Sequence, residues 1–276
     1  MIIGWNDVGF HGLNQIPTPN IDALAYSGLI LNNYYVTPIC SPSRSSLMTG
    51  KYPIHTGMQH SVLYGAEARG LPLGEKLLPQ YLKELGYTNH IVGKWHLGSY
   101  TRKYLPLNRG FDSHLGYWTG HQDYFDHTAV EKPGFGLDMR RNMNIAYDLH
   151  GQYSTDVFTD ESVKIINNHN GSNPLFLYLA HAAVHSANPY NPLPAPDKMV
   201  EKFDYIQNYD RRKFADRVVR AIKISPFQET IESNKRKKVC VTGTTSLITP
   251  QLAATLDRAN FCEGRGKMLV PRYIQI

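Results

Sequence analysis

Cysteine is scarce: three in 276 residues, Cys40, Cys240 and Cys262, none in a C-x-x-C pair. That excludes a disulfide framework, a cysteine-rich zinc module and a thioredoxin-like motif. Long apolar runs are missing as well. No stretch approaches the roughly 18 to 20 apolar residues of a membrane-spanning helix, so no membrane span is expected. The opening Met1-Ile2-Ile3-Gly4-Trp5-Asn6-Asp7 has neither a basic n-region nor an apolar h-region, and no signal peptide is expected in the chain as written. There is no internal repeat. With 42% hydrophobic and 19% charged residues, the chain is excluded from the disordered, coiled-coil and collagen classes.

Net charge is +6, which by itself suggests a polyanion partner. The distribution removes that reading. Residues 211–276 hold 14 Lys and Arg against 5 Asp and Glu, whereas residues 1–210 hold 15 against 18. The basicity belongs to the tail, where Lys235-Arg236-Lys237-Lys238 has no interleaved aromatics and reads as a solvated run, with no nucleic-acid partner.

Residues 1–185 read as strands alternating with helices, the pattern of a mainly parallel sheet with crossover helices. A helix is expected where Thr18 can cap, Pro19 suits the first position, Ile21, Leu24 and Ala25 share a face and Gly28 stops the run. Residues 29–36 then read as a strand, with Tyr34-Tyr35 in the core. Pro42 to Gly50 reads as a short helix with Cys40 at its N-terminus. Leu78, Leu82 and Leu85 mark a helix ended by Gly86, and Tyr87 to Val92 a strand running into Gly93-Lys94-Trp95-His96-Leu97-Gly98. Phe158 and Ile165 mark a helix, and Leu175 to Ala180 a buried strand running into His181 and His185. Ligands in open α/β sheets bind outside the carboxyl ends of strands, so Cys40, Lys94, His96 and His185 are expected to converge. Residues 186–198 hold four prolines and read as an exposed irregular loop. Beyond about residue 215 the rhythm fades, and residues 216–276 are left outside the core as a divergent basic tail.

The sharpest local signal is Cys40-Ser41-Pro42-Ser43-Arg44. A cysteine at a helix N-terminus near an arginine has a lowered pKa and faces free backbone N–H groups that can hold an anion. Three residues separate Cys40 from Arg44, not the five of a tyrosine-phosphatase loop, and a buried structural cysteine is the rival reading. The segment continues Leu47-Met48-Thr49-Gly50-Lys51-Tyr52 and resembles the type I sulfatase signature C-x-P-S-R-x-x-L-x-T-G-[RK]-Y. Gly4-Trp5-Asn6-Asp7-Val8-Gly9-Phe10-His11-Gly12, Thr18-Pro19-Asn20-Ile21-Asp22, Gly93-Lys94-Trp95-His96-Leu97-Gly98 and Arg109-Gly110-Phe111-Asp112 resemble the same family, its arylsulfatase B branch most closely. The likeness covers roughly residues 4–215, which it implies form a partial catalytic domain of alkaline-phosphatase-like fold, truncated at both ends.

The resemblance implies a sulfuric ester hydrolase. Cys40 would be oxidised to formylglycine by the formylglycine-generating enzyme, and its gem-diol would attack sulfur. Arg44 would stabilise the diol and the metal site, Lys94 would neutralise a sulfate oxygen, His96 would take the diol proton, and His185 would reach the leaving-group side. Calcium would be the cofactor, with formylglycine 40 among its ligands, and a sulfated sugar or glycosaminoglycan the substrate. His185 is preferred to His181, while His11, His55 and His60 read as structural or surface residues. The sequon Asn170-Gly171-Ser172 fits a glycosylated lysosomal or secretory protein. The aspartate pair that the family carries ahead of Gly-Trp-x-Asp, and its downstream Asp-Asn pair, have no counterpart here. A sulfatase-like chain that keeps only an anion pocket is therefore the alternative. A phosphate-ester hydrolase of the wider superfamily would carry Ser or Thr at position 40.

Overall fold

A computed structural model describes residues 3–221 apart from 31, 34, 132 and 133, together with the backbone of 239–243 and 273–274. In chain order the elements are α1 (Pro19–Ser27), β1 (Leu29–Ile30), α2 (Cys40–Thr49), α3 (Pro53–Thr56), α4 (Leu78–Glu84), β2 (Thr88–Lys94), β3 (Ser113–Tyr117), β4 (Thr128–Glu131), β5 (Gly134–Leu137), β6 (Arg140–Arg141) and β7 (Asn144–Ile145). There follow α5 (Ser154–Asn168), β8 (Leu175–Ala180), α6 (Asp197–Val200), α7 (Tyr209–Ala221), β9 (Val239–Gly243) and β10 (Tyr273–Ile274). The central sheet has the order β7-β6-β3-β2-β8-β9. Its four strands β3, β2, β8 and β9 run parallel, and β6 and β7 close one edge antiparallel.

Both faces of the sheet are covered, and period-2 alternation decides which residue goes where. On one face Val92, Leu175, Leu177 and Leu179 pack with Val157, Phe158 and Ile166 of α5. On the other, Ile91, Phe176 and Tyr178 pack with Leu47 and Met48 of α2 and Leu82 of α4. Every residue of β8 is buried, which explains its unbroken apolar run. A third cluster joins Val8 and Ile16 to Phe203, Ala215 and Val218, so the N-terminal segment rests on α7. Gly93 is needed where it stands: its φ is +103° and a Cβ there would lie 2.0 Å from the Ala180 carbonyl oxygen of the neighbouring strand.

Several expectations need correction. Among the described residues of 29–36 the strand is Leu29–Ile30, paired with Tyr273–Ile274 outside the central sheet, and Asn32-Asn33 form a turn. Tyr35 is 88% exposed rather than core. Tyr34 and the basic run 235–238 lie outside the described residues. Thr18 precedes α1 without capping it, since its hydroxyl accepts from Gly9 N–H (2.7 Å) and donates to Asp22 (2.9 Å). The loop 186–198 is irregular, yet Asn188 is fully buried through hydrogen bonds to Thr128 and Val130. Helix α7 passes the expected boundary at 215, and residues 239–243 extend the sheet beside β8.

Candidate active site

Cys40 is the first residue of α2, and its approach comes from a loop rather than from a strand of the central sheet. Gly50, in the left-handed conformation (φ +69°), ends that helix. Lys94 is the last residue of β2, His96 follows two residues later, and His185 lies five residues beyond β8. The carboxyl edge of the sheet therefore gathers groups from positions 40 to 185. Cys40 Sγ is 3.7 Å from His185 Nε2. Arg44, one helical turn on, donates to the Lys94 carbonyl oxygen (2.7 Å) and to the Tyr178 hydroxyl (3.1 Å). It thus ties α2 to β2 and β8. The Ser41 hydroxyl donates to the His96 carbonyl (3.1 Å) and accepts from Leu63 N–H (3.1 Å), closing the same ring of contacts.

The protonation of both histidines follows from their anchors. His96 Nε2 lies 2.7 Å from the Leu63 carbonyl, which can only accept, so Nε2 carries the proton. Its Nδ1 is then a lone pair when the ring is neutral, and this nitrogen is buried without a partner. His185 Nδ1 lies 2.7 Å from the Ser186 carbonyl and by the same reasoning carries a proton, so Nε2 faces Cys40 as a lone pair beside the thiol and as an N–H donor once it has taken the thiol's proton. Burial, then the Lys94 charge, lowers His96 to about 4, and burial lowers His185 as well. Burial and the neighbouring Arg44 cation lower Lys94 to about 8, and its buried Nζ has no hydrogen-bond partner. Burial of Cys40 raises its pKa, but His185, His96 and the Lys94 charge outweigh that and bring the thiol down to about 2. His96 has a positive φ of 57°, a conformation that costs a non-glycine residue about 1 kcal/mol and aims its ring. Gly120 packs against that ring, since a Cβ at 120 would lie 2.7 Å from His96 Cε1.

The site can hold an anion beside a nucleophile, with two neutral imidazoles ready to take protons. Calcium does not fit it. The groups around Cys40 are imidazoles, an ammonium and a guanidinium, and among the described residues no three His, Cys, Asp or Glu side chains are grouped to hold a metal ion. Asp7, in the Gly-Trp-x-Asp segment, is paired with Arg211 at 2.7 Å.

The other expected residues fall elsewhere. His181 packs on the α5 side against Phe158, its buried Nδ1 unpartnered and its pKa lowered to about 4 by burial. His11 stacks on Trp5 at 3.7 Å, and His55 and His60 are exposed. Asn170 is exposed in the turn after α5. Sequence reasoning missed Ser41, Tyr178, Tyr124 and Arg217. The Tyr124 hydroxyl donates to the His185 carbonyl (2.8 Å), and the buried Arg217 guanidinium donates to both. No local pattern marks these residues, because their partners are 22 to 134 positions away.

A mainly parallel α/β domain with this cluster at its carboxyl edge has the alkaline-phosphatase-like architecture. The chain belongs to the sulfatase family, whose model, described as Sulfatase, matches residues 3–255. It is 47% identical over 214 residues to arylsulfatase J of Mus musculus, covering 77% of this chain and 35% of that protein. It is 32% identical over 210 residues to N-acetylgalactosamine-6-sulfatase of Homo sapiens, covering 68% and 39%. Among solved structures, Ps i-CgsB in complex with k-i-k-neocarrahexaose superposes with a TM-score of 0.74 at 31% identity, over 88% of this chain and 56% of that one. The chain thus spans well under half the length of these curated relatives.

Proposed function

We propose that this chain carries the nucleophile and proton-transfer residues of a sulfuric ester hydrolase acting on sulfated sugars, as in glycosaminoglycans. The observation that carries the reading is the meeting of Cys40 Sγ with His185 Nε2 at 3.7 Å, beside the unpartnered nitrogens of Lys94 and His96. Oxidation of Cys40 by the formylglycine-generating enzyme would turn its Cβ into an aldehyde carbon. The sulfur marks the place that a hydroxyl of the hydrated aldehyde then takes. That hydroxyl gives its proton to the free Nε2 of His185 and attacks sulfur in line as the ester O–S bond breaks, and the departing alkoxide takes that proton back from the His185 imidazolium. The second hydroxyl gives its proton to a base, for which the free Nδ1 of His96 is suited. The C=O bond re-forms as the C–O bond to the sulfate breaks, and sulfate leaves. Lys94 neutralises a sulfate oxygen from a dry position where its charge acts strongly. Arg44 acts by holding the Lys94 carbonyl and Tyr178.

Names such as N-acetylgalactosamine-6-sulfatase among the relatives support an N-acetylgalactosamine type of sugar, and an arylsulfatase B-like preference is the finer form of this reading. A lysosomal or secretory life fits the exposed sequon at Asn170. Calcium has no donor set among the described residues, which favours a second reading: the chain by itself is an anion pocket without turnover.

Two measurements test these readings. Placed behind a signal peptide in cells that convert a control sulfatase, the chain should carry formylglycine at position 40 by peptide mass spectrometry, and unmodified cysteine alone would remove the proposed nucleophile. The 276-residue chain should hydrolyse a chromogenic aryl sulfate no faster than Cys40→Ala, whereas a version joined to the family's aspartate-bearing segments should be active. Calcium-dependent turnover by the 276-residue chain, abolished by Cys40→Ala, would overturn the assignment of its metal ligands.

A further inference from the structure

We infer that the chain has a second subsite, between the β4–β5 hairpin and the Trp118–Arg140 wall, that takes an uncharged pyranose ring of a glycan. The inference rests on the sulfatase reading for one point only, that this ring is a neighbour of the sulfated one. A cavity of about 510 Å³ lies there, within the usual range for small-ligand sites, and neither Cys40, Lys94, His96 nor His185 lines it. It nonetheless shares a wall with the catalytic cluster. Gly120 packs on the His96 ring, and the Glu131 carboxylate, which lines the cavity, accepts from Gly65 N–H (3.1 Å) and Gly120 N–H (3.4 Å).

The lining has the chemistry of a sugar site. Phe135, at 81% exposure, lines the cavity and offers an aromatic ring on which the C–H face of a pyranose can rest. Arg140 stacks on Trp118 at 4.4 Å and braces that indole, whose buried Nε1–H has no partner. The Asp138 carboxylate is taken up by the wall itself, accepting from the Trp118 and Thr119 N–H groups (3.0 and 2.9 Å) and the Thr119 hydroxyl (2.7 Å) and pairing with Arg140 (3.3 Å), while Glu131, held by one backbone N–H on each oxygen, keeps lone pairs for hydroxyl donors. Two carboxylates facing one guanidinium disfavour an anionic ring, so the selectivity runs toward hydroxyls and against a uronate.

The test uses the full chain labelled with ¹⁵N, in which three tryptophan indoles report. Methyl N-acetyl-β-galactosaminide, methyl β-glucuronide and inorganic sulfate are titrated separately. The galactosaminide should shift the Trp118 indole signal. Phe135→Ala should weaken that binding by about three- to tenfold, the effect of losing one aromatic contact, while Phe135→Tyr should retain it. Phe135 is exposed, so these variants keep the fold. Sulfate should instead perturb the His185 ring, with Lys94→Met abolishing that response and leaving the sugar response intact. An unmoved Trp118 signal, or equal affinity in Phe135→Ala, would overturn the subsite. Tighter binding of the glucuronide would overturn its selectivity. Sugar binding without any sulfate binding would sink the sulfatase reading of the chain and leave the subsite standing.

Discussion

Replacing Arg44 by methionine separates a scaffolding role from direct contact with the anion. The guanidinium donates to the Lys94 carbonyl at 2.7 Å and to the Tyr178 hydroxyl at 3.1 Å, and both partner residues are 2% exposed. Arg44→Met keeps the aliphatic stem but leaves those two acceptors buried without donors. A hydrogen bond to a charged group contributes about 1.5 to 3 kcal/mol, so the gross loss is roughly 3 to 6 kcal/mol. Against this, the variant removes a cation that Lys94 is pressed against, since Arg44 is one cause of its lowered pKa. A net cost of about 2 to 4 kcal/mol is expected, read as a lower urea midpoint at unchanged slope. Arg44→Lys keeps a cation with three N–H donors but loses the planar head that fixes their direction, and should cost about half as much. With Arg44 gone, Lys94 should titrate above its present value of about 8. A cost below about 0.5 kcal/mol, or a lysine variant no better than methionine, would refute the scaffolding argument. Lost sulfate binding at unchanged stability would show that Arg44 touches the anion itself.

Unconverted Cys40, brought to about 2 by its neighbours, should react with iodoacetamide at a rate nearly flat from pH 5 to 8. An ordinary thiol would gain about tenfold per pH unit over that range, and a Cys40 slope of that kind would sink the assignment. His185→Ala should restore part of the slope. Because the folded pKa lies below the unfolded value of 9.0, the thiolate's stabilisation is complete above that value and is lost as the pH falls toward about 2. Stability relative to Cys40→Ser should therefore rise from pH 5 to 8. Calcium at about 5 mM should move the melting temperature of the 276-residue chain by less than about 1 °C, and a shift of several degrees would reveal a ligand set not among those described.

Local patterns carried much of this chain. The unbroken apolar run Leu175 to Ala180 could only be a strand buried on both faces, and Gly50 and Gly86 stop helices through local backbone geometry that any reader of the sequence can see. The order Cys40, Lys94, His96, His185 was legible because each residue follows a recognisable motif. The run 29–36 misled because hydrophobicity alone cannot tell a strand with a partner from one without, and Asn32-Asn33 turned the chain away. Other features depend on contacts between segments far apart in the chain. Arg44 spans 50 residues to reach Lys94, the Leu63 carbonyl fixes the His96 tautomer across 33 residues, and Tyr124 with Arg217 holds the His185 carbonyl. A residue's type states which bonds it is able to make; only the packing of α2, β2, β8 and α7 around one edge of the sheet decides which of them it does make.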